Sequence, residues 1–128
     1  MDVLDGQNRA VLQSATPIVP ARDMRRSIAF YEQLGFVCEP YEDGSHYAFL
    51  SRDGQDLHLG LLDAVEFQLN PMGVYFVVND VDVFYDELLA AGVKSLTAPE
   101  IKPWRMREFA ISDPEETLLR FGQPSHVL

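Results

Sequence analysis

Apolar positions along this chain change period in the same order in each of its two halves. After a short apolar stretch at Ile18 and Val19, followed by Pro20, the residues Met24, Ile28, Tyr31 and Leu34 recur at the three-to-four-residue spacing of one helix face. Asp23 precedes that stripe as an N-cap and Gly35 ends it, so both helix boundaries are marked. Three apolar runs rich in aromatics follow, over residues 36–41, 45–51 and 56–62. Asp43-Gly44 and Asp53-Gly54 separate them, dipeptides that supply the positive φ angles of tight hairpins.

The second half repeats this order. Residues 73–78 form an apolar strand, Asp80 caps a helix carrying Val81, Phe84, Tyr85, Leu88 and Leu89, and Gly92 closes it. The interval from Asp23 to Gly35 equals that from Asp80 to Gly92, and each glycine is followed by an apolar residue that begins the next strand. Residues 104–112 and 117–121 read as strands joined at Asp113-Pro114, and residues 62–71 read as the linker between halves. Neither half is large enough to bury its helix alone. The pattern therefore predicts one α+β domain over residues 1–128, with βαβββ half-repeats at about 15–62 and 72–123. These form a curved eight-stranded mixed sheet with the helices on its outer face.

Alternation within the strands separates two faces. In Leu57-His58-Leu59-Gly60-Leu61 the leucines belong against a helix, which leaves His58 and Gly60 on the opposite side. Leu119 and Phe121 likewise face inward while Leu118 and Arg120 do not, and Gly73, Tyr75 and Val77 oppose the core positions of their strand. Histidine, arginine, glycine and tyrosine on one face suit a ligand cavity better than a sealed core.

Composition narrows the function. The apolar fraction of 47% and charged fraction of 23% are those of a globular protein. There is no apolar run of the ~20 residues needed to cross a bilayer, and the first fifteen residues lack the order of a secretory signal, so the expected location is the cytoplasm. The single cysteine, Cys38, excludes an internal disulfide and a Cys-rich zinc site. A formal charge of −10 repels phosphate backbones and anionic lipids, which argues against nucleic acid or membrane as partner, and attracts cations. The three histidines, His46, His58 and His126, have no nucleophile or carboxylate at a telling spacing, and His126 lies in a tail expected to fray. No phosphate loop, Gly-x-Ser-x-Gly or paired-cysteine motif is present, so no catalytic residues are assigned.

Several of these segments resemble the vicinal-oxygen-chelate superfamily, which includes glyoxalase I, extradiol dioxygenases and bleomycin-resistance proteins. Ser27-Ile28-Ala29-Phe30-Tyr31 with Leu34-Gly35-Phe36 is similar to its first helix, and Asp113-Pro114-Glu115 before Thr117-Leu118-Leu119 to its closing turn and strand. The run from Pro103 through Trp104, Arg105, Met106, Arg107, Glu108 and Phe109 to Ala110 is closer to the bleomycin-resistance branch. The superfamily's enzymes hold a divalent metal at the start of each half's first strand and on each half's last strand. Carried onto this chain those places are Thr16, Gly73, His58 or Gly60, and Arg120. At most one offers a good ligand, so the resemblance implies neither a metal nor any other cofactor here.

The same resemblance implies a homodimer whose inter-subunit groove is lined by aromatic rings, with the N-terminal strand exchanged between subunits. Tyr41, Tyr47, Tyr75 and Trp104 are the candidate ring contacts, with His58 and Gly60 beside them. Flat rigid rings suit a flat heteroaromatic ligand, and Glu39, Glu42 and Asp43 near Tyr41 would draw in a cationic one. Arg107 and Glu108 are expected to form an ion pair or a hydrogen-bonding site. Pro17 and Pro20 confine the first strand to an edge or exchanged position. The function expected is non-catalytic sequestration of bleomycin-like or other flat cationic aromatic compounds. The alternatives are a metal-dependent glyoxalase- or dioxygenase-like enzyme, and a binding module for some other aromatic metabolite.

Overall fold

A computed structural model describes residues 9–62 and 70–125. Their order is β1 Ile18–Ala21, α1 Met24–Gln33, β2 Val37–Pro40, β3 Tyr47–Arg52 and β4 Gln55–Leu61, then β5 Gly73–Val77, α2 Val81–Ala90, β6 Glu100–Ile101, β7 Met106–Ser112 and β8 Leu118–Pro124. This is the βαβββ unit twice.

Local chemistry sets the boundaries of both helices and of the β3–β4 hairpin as expected, whereas β2 and β3 are joined by a longer loop over 41–46 in which Glu42 and Gly44, not Asp43 and Gly44, take positive φ. The Asp23 side chain accepts a hydrogen bond from Arg26 N and that of Asp80 accepts one from Val83 N, each satisfying a donor in the first helical turn. At the other ends Gly35 and Gly92 take φ of 90° and 83°. Their amides and the amides after them reach back to Glu32 O and Tyr31 O, and to Leu89 O and Leu88 O, closing both helices in the same way. Asp53 and Gly54, at φ 52° and 78°, make the two-residue turn between β3 and β4.

Instead of one curved eight-stranded sheet there are two four-stranded sheets, ordered β1-β4-β3-β2 and β5-β8-β7-β6. Each is mixed, with β1 parallel to β4 and β5 parallel to β8. The halves are joined through their helix-covered sides rather than by a ladder. Phe36 meets Phe76 at 6.0 Å between ring centroids, Gln33 Nε2 donates to Ala91 O, and the Tyr31 hydroxyl donates to Asp113 Oδ2 at 2.6 Å. One continuous core results, built from Tyr31 and Leu34, Leu57 and Leu59, Phe84 and Leu88, and Phe109, Leu119 and Phe121.

Two other expectations need adjustment. The strand expected directly after Gly92 is displaced to Glu100–Ile101. Val93 is buried but irregular, Ser95 adopts φ 66°, and Thr97 substitutes for a ladder by exchanging hydrogen bonds with Ala110. Leu61, assigned inward, is exposed at the last residue of β4, and Leu89 is exposed because the buried stripe of α2 runs through Val81, Phe84 and Leu88 and leaves it at the margin. The linker over 62–71 and His126 fall largely or wholly outside the described residues. Pro20 sits within β1, and β1 is an edge strand, where a missing N–H costs no ladder bond.

Candidate ligand-binding site

The face of the first sheet away from α1 carries an aromatic cluster. Along β3 Ala48 and Leu50 are buried and Tyr47 and Phe49 alternate with them, while along β4 Leu57 and Leu59 alternate with His58 and Gly60. The register sets Tyr47 across from Gly60 and Phe49 across from His58. The Tyr47 hydroxyl is 2.9 Å from His58 Nδ1, and the Tyr47, Phe49 and His58 rings meet edge to face at 4.9–5.5 Å. Tyr41 joins from the adjoining turn, 6.2 Å from Phe49. In that turn Asp43 accepts from Ser45 N and Ser45 Oγ, bonds that hold its carboxyl below the usual carboxylate range.

The corresponding face of the second sheet is organised around one carboxylate. Glu108 on β7 is 3% exposed, yet Trp104 and Tyr75, which bond to it, are 56% and 40% exposed. Trp104 Nε1 donates to Glu108 Oε1 at 2.8 Å, the Tyr75 hydroxyl donates to the same oxygen at 3.0 Å, and Arg120 Nε stands 4.0 Å from Oε2. Loss of surrounding water, then the hydrogen bond to Glu108, pushes the Tyr75 phenol up to about 12. Trp104 is held in a turn whose ends are closed by the Lys102 amide on Met106 O and the Arg105 amide on Lys102 O.

Gly122 makes room for this arrangement. A Cβ there would stand 2.2 Å from the Tyr75 hydroxyl and 3.1 Å from Glu108 Cβ, whereas one on Gly60 would meet Ile18 and Tyr47 at 3.4 Å or more. Gly122→Ala is therefore expected to lower stability by about 1 kcal/mol through overpacking and to drop the phenolate titration of Tyr75 toward that of an ordinary tyrosine. Gly60→Ala should leave stability within about 0.5 kcal/mol. Chemical denaturation and pH-difference spectroscopy check both, and an unshifted Tyr75 in Gly122→Ala would contradict the geometry.

The six residues singled out from the sequence are thus gathered as two sets: Tyr41, Tyr47, His58 and Gly60 on the first sheet, Tyr75 and Trp104 with the second. A cleft of about 790 Å³ between the halves is lined by Phe36, Arg52, Tyr75, Val77 and Val83 among others, but by none of the remaining five. Phe49 was not singled out, and Glu108 entered only as an ion-pair or hydrogen-bonding residue, of which the hydrogen-bonding role holds. Phe49 has the same parity as Tyr47, a signal that was available. Arg107 and Glu108 do not pair with each other: adjacent strand residues point to opposite faces, and Arg107 goes to Asp82 on α2 at 2.8 Å.

The donor set does not fit a divalent metal. The strand register places Ile18 across from His58 and Tyr75 across from Arg120, while Gly73 faces Leu118 and Thr16 precedes β1. Isoleucine and glycine offer no ligand, the Tyr75 hydroxyl is committed to Glu108, and the Arg120 guanidinium brings a fixed positive charge. Among the described residues no three His, Cys, Asp or Glu side chains converge.

Known proteins share both the sequence pattern and this architecture. A bleomycin resistance protein of Klebsiella pneumoniae is 32% identical over 120 residues, 85% of this chain and 90% of that protein. One of Geobacillus stearothermophilus is 28% identical over 131 residues, 88% of this chain and 97% of its own. A crystal structure of a bleomycin-binding protein complexed with bleomycin superposes with a TM-score of 0.77 at 26% identity, covering 89% of this chain and 100% of that one. The structure of a bleomycin resistance determinant encoded on the transposon Tn5 has a TM-score of 0.77 at 27% identity, with 88% and 98% coverage. Residues 11–121 match the Glyoxalase/Bleomycin resistance protein/Dioxygenase superfamily, and the chain belongs to it.

Proposed function

We propose that this chain is a non-catalytic binding protein that sequesters bleomycin or related flat, cationic aromatic compounds. The observation that carries this is the pair of exposed rings, Trp104 and Tyr75, whose polar ends are tethered to a buried carboxylate. Rings held rigid in solvent lose little conformational freedom on stacking against a ligand. Relatives named for bleomycin resistance, and a structural neighbour complexed with bleomycin, support the same ligand class. The −10 charge favours approach of a cation.

The two half-repeats act as one domain, and the working unit is a homodimer. Each sheet leaves one face open, with Ile18, Phe49, Val77 and Tyr75 exposed there. In the dimer the first sheet of one copy opposes the second sheet of the other, bringing Tyr41, Tyr47, His58 and Gly60 opposite Tyr75 and Trp104 and covering the apolar faces. Among the described residues no helix is long and apolar enough to cross a membrane, and a cytoplasmic site of action fits interception of a drug that has entered the cell.

Isothermal titration with metal-free and metal-loaded bleomycin, followed by chromatography of the recovered ligand, tests this function. Saturable binding with unchanged ligand is expected, and turnover of the ligand would overturn the reading. Light scattering should give twice the monomer mass at micromolar concentration. Because the residues do not fit a metal, chelator should leave the melting temperature unchanged, and a chelator-dependent fall would contradict the absence of a structural metal.

A further inference from the structure

We propose that Glu108 is a positioning residue that fixes the Trp104 and Tyr75 rings in their binding orientation before any ligand arrives. The proposal rests on the reading of those rings as a binding surface. Its geometry is that of a clamp: two donors from different elements, the β6–β7 turn and β5, converge on one buried oxygen at 2.8 and 3.0 Å. A carboxylate oxygen has lone pairs for both. An isolated buried carboxylate is unfavourable, and here its charge is balanced by Arg120 at 4.0 Å from the other oxygen.

The repeat isolates what is special about this residue. Glu108 stands across from Gly122 as Tyr47 stands across from Gly60 in the first half. Where the first sheet places a ring directly on its open face, the second places an anchor and takes its rings from β5 and the turn. Core packing does not require this, since Trp104 is more than half exposed. Without the anchor, an exposed indole on a turn samples several rotamers, and the ligand must order it on binding. The raised titration of the Tyr75 phenol is consistent with the same contact.

Trp104 is the only tryptophan in the chain, so its signals need no assignment. In the ligand-free parent its indole N–H is expected to exchange slowly with water by NMR and its fluorescence anisotropy to match overall tumbling. A rapidly exchanging, freely moving indole in the parent would overturn the proposal, whether or not bleomycin binds. Glu108→Met is expected to free the indole and weaken bleomycin binding about tenfold. Glu108→Gln, which keeps an acceptor oxygen, should restore the ordered indole and bring affinity to within about threefold of the parent. In a Trp104→Ala, Tyr75→Phe background, Glu108→Met should cause little further loss. An equal loss in that background, or an ordered indole in folded Glu108→Met, would also overturn it. If the parent binds no bleomycin, the proposed function fails while the indole measurement still judges the positioning role.

Discussion

Replacing Trp104 with alanine is expected to weaken bleomycin binding by about 2 kcal/mol, about thirtyfold in Kd, the scale of an aromatic hot spot. The effect should fall on binding rather than stability. The ring is 56% exposed and contributes little to the core, so the melting temperature should barely move. Two substitutions on the first sheet set the comparison. His58→Ala removes a half-buried ring that touches Tyr47 and Phe49, and should cost less than Trp104→Ala. A metal-dependent enzyme centred on His58 would show the reverse order. Neutralising Glu42 and Asp43 together should slow association and flatten its salt dependence with little change in the dissociation rate, because exposed charges steer more than they hold. Titration and stopped-flow mixing on these variants separate the roles. Unchanged affinity in Trp104→Ala would remove that ring from the site.

The elements that were legible in the sequence are those governed by local chemistry. Asp23 and Gly35, and Asp80 and Gly92, bound the helices through caps whose hydrogen bonds span only a few residues. Strict alternation in β4 and β5 assigned His58, Gly60 and Tyr75 to the open faces without knowledge of their partners. What depended on distant pairing was not legible. A period-two pattern says that a strand exists and how many each half holds, but not that the two four-stranded halves remain separate sheets and join through Phe36, Phe76 and the helices. Glu108 was obscured for a related reason. Next to Arg107 it reads equally as half of an ion pair or as a hydrogen-bonding residue, and only the register with Gly122, together with the turn that returns Trp104 over it, shows it as the shared acceptor of Trp104 and Tyr75. Thr16 and Gly73 lie two residues before Ile18 and Tyr75, the residues that pair with His58 and Arg120, a relation that depends on the ladder and not on sequence spacing.

The largest effect on stability is expected from Asp113→Ala, a loss of about 3 kcal/mol. Asp113 is 4% exposed and lies in the turn before β8. Its Oδ1 accepts from Glu115 N and Thr117 N, shaping the turn, and its Oδ2 accepts from Tyr31 on α1. Alanine would strand the Tyr31 hydroxyl and the Thr117 amide, in residues with no exposed surface, and each unsatisfied buried donor costs about 1–3 kcal/mol. A lower urea midpoint with an unchanged slope would show this as lost native stability. Tyr31→Phe removes one of the same donors, so the double variant should lose less than the two single losses combined. The conservative change separates charge from hydrogen bonding. Burial, the largest influence on Asp113, raises its carboxyl above the usual range, only partly offset by the bonds it accepts. Between the ordinary value and the raised folded one, the unfolded chain binds fewer protons than the folded chain, so this group lowers stability as pH rises through that window. Asp113→Asn keeps an acceptor for the turn amides and has no proton to lose. It should therefore cost much less than alanine, and the contribution of residue 113 to the acid limb of the stability curve should disappear. An asparagine variant as unstable as the alanine one would show that the turn bonds accepted by Oδ1 are not the main contribution of residue 113, and that the contact of its second oxygen with Tyr31 is.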